Sequence, residues 1–522
     1  MGRLRFVGFF FVLALLSYAG MGAPGRNYYI AGNGDDGMDG SLRHPWKTVE
    51  AVNRVRLGAG DSVFFRGGQV FGGTVRVSVS ASEVHPAWVG SYGGGVATID
   101  GGDSSAVVVS EARWVQVKGL RLVGAGRKKG NVKDGLGIIG SHHVRVADID
   151  ITGFQKSGLL IYSSTDVVLD GVDAHENGAA GIAVEGAYDS KKHSRDLRIL
   201  RCRADDNPGD PTNLTNHSGN GIVCGHCTRL LIDHCSATNN GWDMPRIGNG
   251  PVGIWCYEAD SVTIQHCLAY RNKTSVGGAD GGGFDLDGGV TNSVIQYCLS
   301  YGNQGSGYCI FQYWGASPWY HNIIRWNISE DDGGVSDSRA GIYVWNSSGD
   351  ASQFYDCLVY NNTVYNSAEA AISFSTTSAR KQFAFYNNIF VGADSLIRGD
   401  RGVDIFGGNE WWVLHGDAPG GAPGDRGGRV FLATAGMKGY YLKPDFKASG
   451  DTQITDVKAL AGFDKYRVSA GPGSAAGAEA GPGPARAVLR RGGLDLRSVG
   501  IDAGPRDFNG GAAPRLGIGA SF

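Results

Sequence analysis

Between residues 159 and 344 the chain repeats a short motif, a triplet whose first and third residues are apolar. Leu159-Leu-Ile161, Ile182-Ala-Val184, Ile222-Val-Cys224, Ile254-Trp-Cys256, Phe284-Asp-Leu286, Tyr308-Cys-Ile310 and Ile342-Tyr-Val344 align without gaps inside the triplet. Alternation over three residues predicts a short strand with one buried face. A second slot precedes several of these strands and holds Cys202, Cys235, Cys267, Cys298, Asn327 and Asn362, the cysteines falling 33, 32 and 31 residues apart. A third slot, five residues on, holds Asn177, Asn207, Asn240, Asn272 and Asn303.

Repeats of this length, with short strands and no helical period, predict a solenoid whose coils stack as parallel strands. Like residues then fall above like: Val, Ile and Cys pack inward, and each Asn amide can bond the next coil. The stretch from Arg26 to about Ser110 reads as an N-terminal cap and first coils. Trp46, Val49, Val52 and Val55, three apart with Pro45 just ahead, predict a short amphipathic helix closing the open end. Insertions at 207–221, 241–253, 273–283 and 330–341 all fall just before an aligned strand, so they rise on one edge as a groove wall.

The repeat resembles the right-handed parallel β-helix of the pectin-lyase-like superfamily over roughly Tyr28 to Ser395. The resemblance implies an all-β solenoid domain, residues 26–400, acting on carbohydrate. Residues 401–522, with NEWWVLHGD and then Gly/Pro/Ala-rich runs, are expected to form an irregular C-terminal cap and tail.

Composition narrows the class. Glycine numbers 85 of 522 residues, about twice the usual roughly 7%, and proline only 16, which favours tight turns over disorder. Lysine and arginine number 48 against 50 acids, so there is no basic footprint for nucleic acid. Arg3 and Arg5, an apolar run from Phe6 to Leu16, then Ser17 and Ala19 follow the order of a secretory signal over residues 1–23. A secreted monomer that contacts no membrane after cleavage is expected, with an uncleaved anchor as the alternative.

The chemistry centres on Ala279-Asp-Gly-Gly-Gly-Phe-Asp-Leu-Asp-Gly-Gly289. Asp285 and Asp287 fall on the outward face of one strand, their Cα atoms about 6.5 to 7 Å apart by strand geometry. Glu258 ends the preceding coil and is within reach. Outward positions of the neighbouring strands hold Trp255, Tyr257, Glu185, Phe311, Tyr343 and Trp345, so acids are flanked by exposed aromatics on which sugar rings can stack. The flanking glycines are expected to leave room for a bulky ligand. Glycoside hydrolysis needs one protonated and one ionised carboxyl roughly 5 to 9.5 Å apart. Asp285 and Asp287 are therefore the expected catalytic pair, with Glu258 completing the set or Asp280 in its place as a third, water-positioning acid, and His226 binding a hydroxyl or assisting proton transfer. A solvated Gly/Asp turn is the plainer alternative. The hydrolase reading needs no cofactor and no metal.

A calcium-dependent lyase or epimerase on a uronic-acid polymer is the runner-up. Some lyases of the superfamily carry Gly-Phe-Lys where this chain has Gly283-Phe284-Asp285, which leaves Lys273, Arg271 or Arg246 to act as base. A non-catalytic glycan-binding adhesin is the third reading. The cysteines read as small buried hydrophobes; Cys224 and Cys227 form a CxxC without the second pair a zinc site needs, and a disulfide after export is left open, its pairing unassigned.

Overall fold

The computed structural model describes residues 25–188, 190–335, 339–375, 379–393, 395–400 and 404–414, with two short strands at 444–445 and 469–470. The expected signal at 1–23 and most of the tail lie outside these residues. Thirty-four strands join one sheet, and every pairing within it is parallel.

The triplets stack in the register read from the sequence. Leu159 pairs with Ile182, Ile182 with Ile222, Ile222 with Ile254, Ile254 with Phe284, Phe284 with Tyr308 and Tyr308 with Ile342. The first and third residues of these triplets point into one continuous core and are buried. Each coil then bends twice more. A second strand supplies Ile199, Ile232, Ile264 and Ile295 in turn, and a third supplies Ala204, Ala237 and Ala269.

Single residues in the left-handed region make the bend between the second and third strands: Arg201, His234, His266, Tyr297, Trp326, Asn361 and Asn387, with φ between 51° and 56°. Each non-glycine residue there costs about 1 kcal/mol or more. Backbone bonds to the next coil hold them, as His234 N to Gln265 O at 3.2 Å and His266 N to Gln296 O at 3.3 Å.

Both polar slots form ladders. Cys202 N donates to Cys235 Sγ and Cys235 N to Cys267 Sγ, each at 3.4 Å, and the row passes to Cys298, Asn327, Asn362, Asn388 and Asn409. The amide row runs Asn177, Asn207, Asn240, Asn272, Asn303 and ends on Asp332. All nine cysteines are buried and free, Cys224 and Cys227 included.

The cap helix is Val49–Asn53, with Val49, Ala51 and Val52 buried. The stack continues past Asp400: Ile405–Gly407 and Glu410–Val413 pair with the preceding coil, so the boundary expected there falls within stacked coils. NEWWVLHGD thus supplies a strand, where irregular cover was expected, because Asn409 continues the ladder. Among the described residues no helix is long and apolar enough to cross a membrane.

Candidate active site

The strand Phe284–Leu286 turns Phe284 and Leu286 into the core and Asp285 outward. Asp285 lies between Trp255 on one coil and Cys309 on the next. Asp287 follows in a tight turn, where its Oδ1 accepts Gly288 N at 2.7 Å.

This outward face is roofed, which corrects the expectation of a wet surface with exposed aromatics. Asp285 is 2% exposed, Trp255 4% and Phe311 5%. The glycines make room for the protein's own neighbours instead of a ligand. A Cβ on Gly283 would come within 2.2 Å of Ser300 Oγ, one on Gly288 within 2.5 Å of the Tyr313 ring, and one on Gly289 within 2.6 Å of the Glu258 carboxylate.

The acids form a row. Asp280, whose φ is 58°, accepts Gly250 N at 2.7 Å and contributes repulsion at Asp285. Burial first, then the charges of Asp287 and Asp280, hold the Asp285 carboxyl well above the usual carboxylate range. Its Oδ1 is buried without a hydrogen-bond partner, the situation in which a carboxyl stays neutral. Burial pushes Asp287 up to about 7; the Gly288 N–H opposes the shift and the Glu258 charge adds to it. Glu258 sits at a left-handed bend, φ 43°, and its Oε1 accepts Ser317 N at 2.9 Å. Its charge acts on Asp287 and is absent from the groups acting on Asp285, so the expected reach to either acid narrows to one.

A cavity of about 560 Å³ opens beside this row. Of the residues expected from sequence, Trp255, Tyr257, Asp280, Asp287, Phe311, Tyr343 and Trp345 line it. Asp285 lies beneath the lining rather than in it. Phe311 meets Tyr343 and Trp345 edge-on, at 5.5 and 5.7 Å between centroids. Trp255 is fixed by its Nε1 donating to Asn220 Oδ1 at 3.0 Å and by the His217 ring edge-on at 4.9 Å. Glu185 and His226 stand behind Tyr257, whose hydroxyl donates to Glu185 Oε1 at 2.7 Å. His226 is packed among Tyr188, His193 and Tyr257 and is not among the lining residues.

Tyr188, Asn216, His217, Asn249, Ala279 and Tyr313 complete the lining. Asn216, His217 and Asn249 come from the insertions, so the wall was visible in the sequence but not which side chains face inward. Burial, and then Arg246, push the His217 imidazole down to about 4, leaving it neutral. Trp319 is core: its Nε1 donates to Leu286 O at 2.9 Å.

The basic residues offered for a lyase stand elsewhere. Arg271 and Lys273 line a separate hollow with Arg203, Asp205 and Tyr270. Arg246 Nη1 bonds Asn249 O at 2.9 Å and does not line the cavity. Among the described residues, the His/Cys/Asp/Glu group whose ligand atoms converge within 4.8 Å is Asp233, His234 and His266, outside the cleft.

The family described as Pel9A-like, right handed beta helix region, matches residues 28–328. No curated protein matches the chain. Among solved structures it is similar to a native GH136 lacto-N-biosidase from Eubacterium ramulus, at 18% identity and a TM-score of 0.52, over 72% of this chain and 68% of that one. It is similar also to pectate lyase Pel9A, at 16% identity and a TM-score of 0.40, over 73% and 80%. An alginate lyase from Paenibacillus sp. str. FPU-7 matches at 14% identity and a TM-score of 0.38, over 73% and 99%. At such identities the likeness is one of fold. The matched segment covers more than half of the sequence and most of the stacked coils, and on that ground the chain belongs to the Pel9A-like right-handed β-helix family.

Proposed function

We propose that the chain is a glycoside hydrolase acting on a neutral glycan. The observation that carries this reading is a cavity lined by two carboxyls and several aromatic rings, with no lysine or arginine among its described lining residues. A uronic acid would bring a negative charge beside Asp280 and Asp287 with no cation to meet it, whereas a neutral sugar stacks on Trp255, Tyr343 or Trp345 without that penalty.

Asp287, pushed up to about 7, is suited to give its proton to the glycosidic oxygen as the bond to the anomeric carbon breaks. Asp280, the other acid lining the cavity, takes the proton of a water whose oxygen bonds the anomeric carbon, or bonds that carbon itself. Asp285 lies beneath the lining with a neutral carboxyl, and burial together with the Glu258 charge keeps the proton on Asp287. This departs from a direct Asp285–Asp287 pair, since Asp285 has no face on the cavity. The same reading makes residues 1–23 a cleaved export signal, checked by the N-terminal sequence of protein recovered from culture medium.

Digestion of neutral and uronic polysaccharides, with and without chelator, tests the activity. New reducing ends from neutral glycans, without ultraviolet absorbance and surviving chelator, are expected. Absorbance that chelator abolishes would replace the hydrolase by a lyase, and binding without any cleavage would leave an adhesin.

A further inference from the structure

Away from the cleft, the bend between the second and third strands carries a second cluster. His234 and His266 occupy the same left-handed position on successive coils, at φ 56° and 51°. Parallel stacking sets one imidazole above the other, with centroids 4.8 Å apart and planes 27° apart. Asp233 ends the strand just before His234, and its Oδ1 meets both rings: His234 Nδ1 at 2.9 Å and His266 Nδ1 at 3.0 Å.

We propose that Asp233, His234 and His266 form a binding site for a divalent transition ion of the zinc class, clasping two consecutive coils. Two imidazole nitrogens and one carboxylate oxygen, all within 4.8 Å of one another, are the donor set such ions take. A tetrahedral ion with bonds of about 2.0–2.1 Å holds neighbouring ligand atoms roughly 3.3 Å apart. The Nδ1 to Oδ1 separations fall slightly short of this, so small ring rotations admit the ion. On binding, each imidazole keeps its proton count by carrying it on Nε2.

The surroundings hold the ligands in place. Gln265 Nε2 donates to Asp233 Oδ1 at 3.3 Å, Gln296 Nε2 to Gln265 Oε1 at 2.9 Å, and Arg325 Nε to Gln296 Oε1 at 2.8 Å. Tyr297, next in the same bend, stacks on His266 at 5.2 Å and 9°, fixing the ring plane. Arg201, which precedes His234 in the row, pairs with Asp170 and leaves the site to its ligands. The side chains of His234 and His266 are 46% and 38% exposed, so an ion can enter and keep water on its remaining positions.

Zinc is titrated calorimetrically into the untagged, chelator-treated full chain, alongside His234→Gln, His266→Gln, the double variant and Asp233→Asn, with melting curves as the fold control. One zinc per chain is expected, with each single substitution weakening binding about tenfold or more and zinc raising the melting midpoint only where the site is intact. Cobalt absorption bands for a site of low coordination number, lost in the double variant, would support the same ligands. Undiminished zinc binding by the double variant, no binding by the natural chain, or equal binding of calcium would overturn the proposal.

Discussion

Tyr257 reaches across an intervening coil to Glu185: its hydroxyl donates to Glu185 Oε1 at 2.7 Å while its backbone pairs with Gly225. The ring lies where a side chain at Gly225 would be. A Cβ there would stand 2.2 Å from Tyr257 Cζ and 2.5 Å from its hydroxyl. The bare backbone of Gly225 is thus what lets one wall of the cavity be an aromatic ring laid flat along the stack and anchored by a carboxylate.

Gly225→Ala is therefore expected to move Tyr257 without disturbing the core beneath, since Cys224 and Cys256 keep their inward places. The lost bond is one to a carboxylate acceptor, about 1.5–3 kcal/mol of folding stability, and kcat/KM falls with the displaced cavity wall. Tyr257→Phe is expected to lose less, because the ring stays. Melting temperatures and kinetics of both variants check the order, with Tyr257→Phe nearer the natural chain in each.

Activity is expected to fall as pH rises through about 7, where Asp287 loses its proton. Asp287→Asn abolishes that limb and lowers kcat by roughly 10²–10⁴-fold. Glu258→Gln removes a neighbouring charge that raises Asp287, so the limb shifts to lower pH with kcat at acidic pH retained. A limb that stays put in Glu258→Gln would mean that another group governs it.

Stability carries the same sign. Asp287 and Asp332 are pushed up to about 7 and Asp404 to about 6, each by burial above all. Between about pH 4 and 7 the folded chain therefore binds more protons than the unfolded one at these sites, so their contribution to stability falls as pH rises. His217, lowered to about 4, pulls the other way up to its unfolded value of 6.5. Asp285 is raised and His142 lowered as well, both by burial above all, so the acids outnumber the imidazoles and the melting temperature is expected to be higher at pH 5 than at pH 8. Asp332→Asn, which leaves the cleft untouched, flattens the slope.

The solenoid was legible because stacking repeats the same demand on every coil. The triplets from Leu159 to Val344 stack in the register read from the sequence, and the asparagine slots became ladders. Asp287 and five aromatics of the cavity wall could be named because a strand's outward side follows from its period, and Asp280 because it belongs to the same Gly/Asp-rich stretch. The depth of Asp285 could not, because loops decide burial and their paths have no period. Nor could the left-handed bends that set His234 above His266, since a histidine in such a bend has no sequence mark.

The asparagine ladder is where a single side chain bears on several coils. Asn240 Oδ1 accepts Asn207 N at 3.0 Å and Asn207 Nδ2 at 2.9 Å, while its own amide donates to Ala204 O at 2.8 Å and Asn272 Oδ1 at 2.9 Å. The residue is 1% exposed, so water cannot replace these bonds. Asn240→Ala orphans Asn207 N and Ala204 O, at about 1–3 kcal/mol for each buried group left unpaired. Asn240→Asp keeps the acceptor for Asn207 but loses the donated bonds and must bury a carboxyl beside Asn272 Oδ1. Its loss is expected to be smaller at pH 4, where the carboxyl can hold a proton and donate, than at pH 8. Denaturation midpoints of both variants at the two pH values check this, and an alanine variant as stable as the natural chain would show that the ladder is not what holds the coils in register.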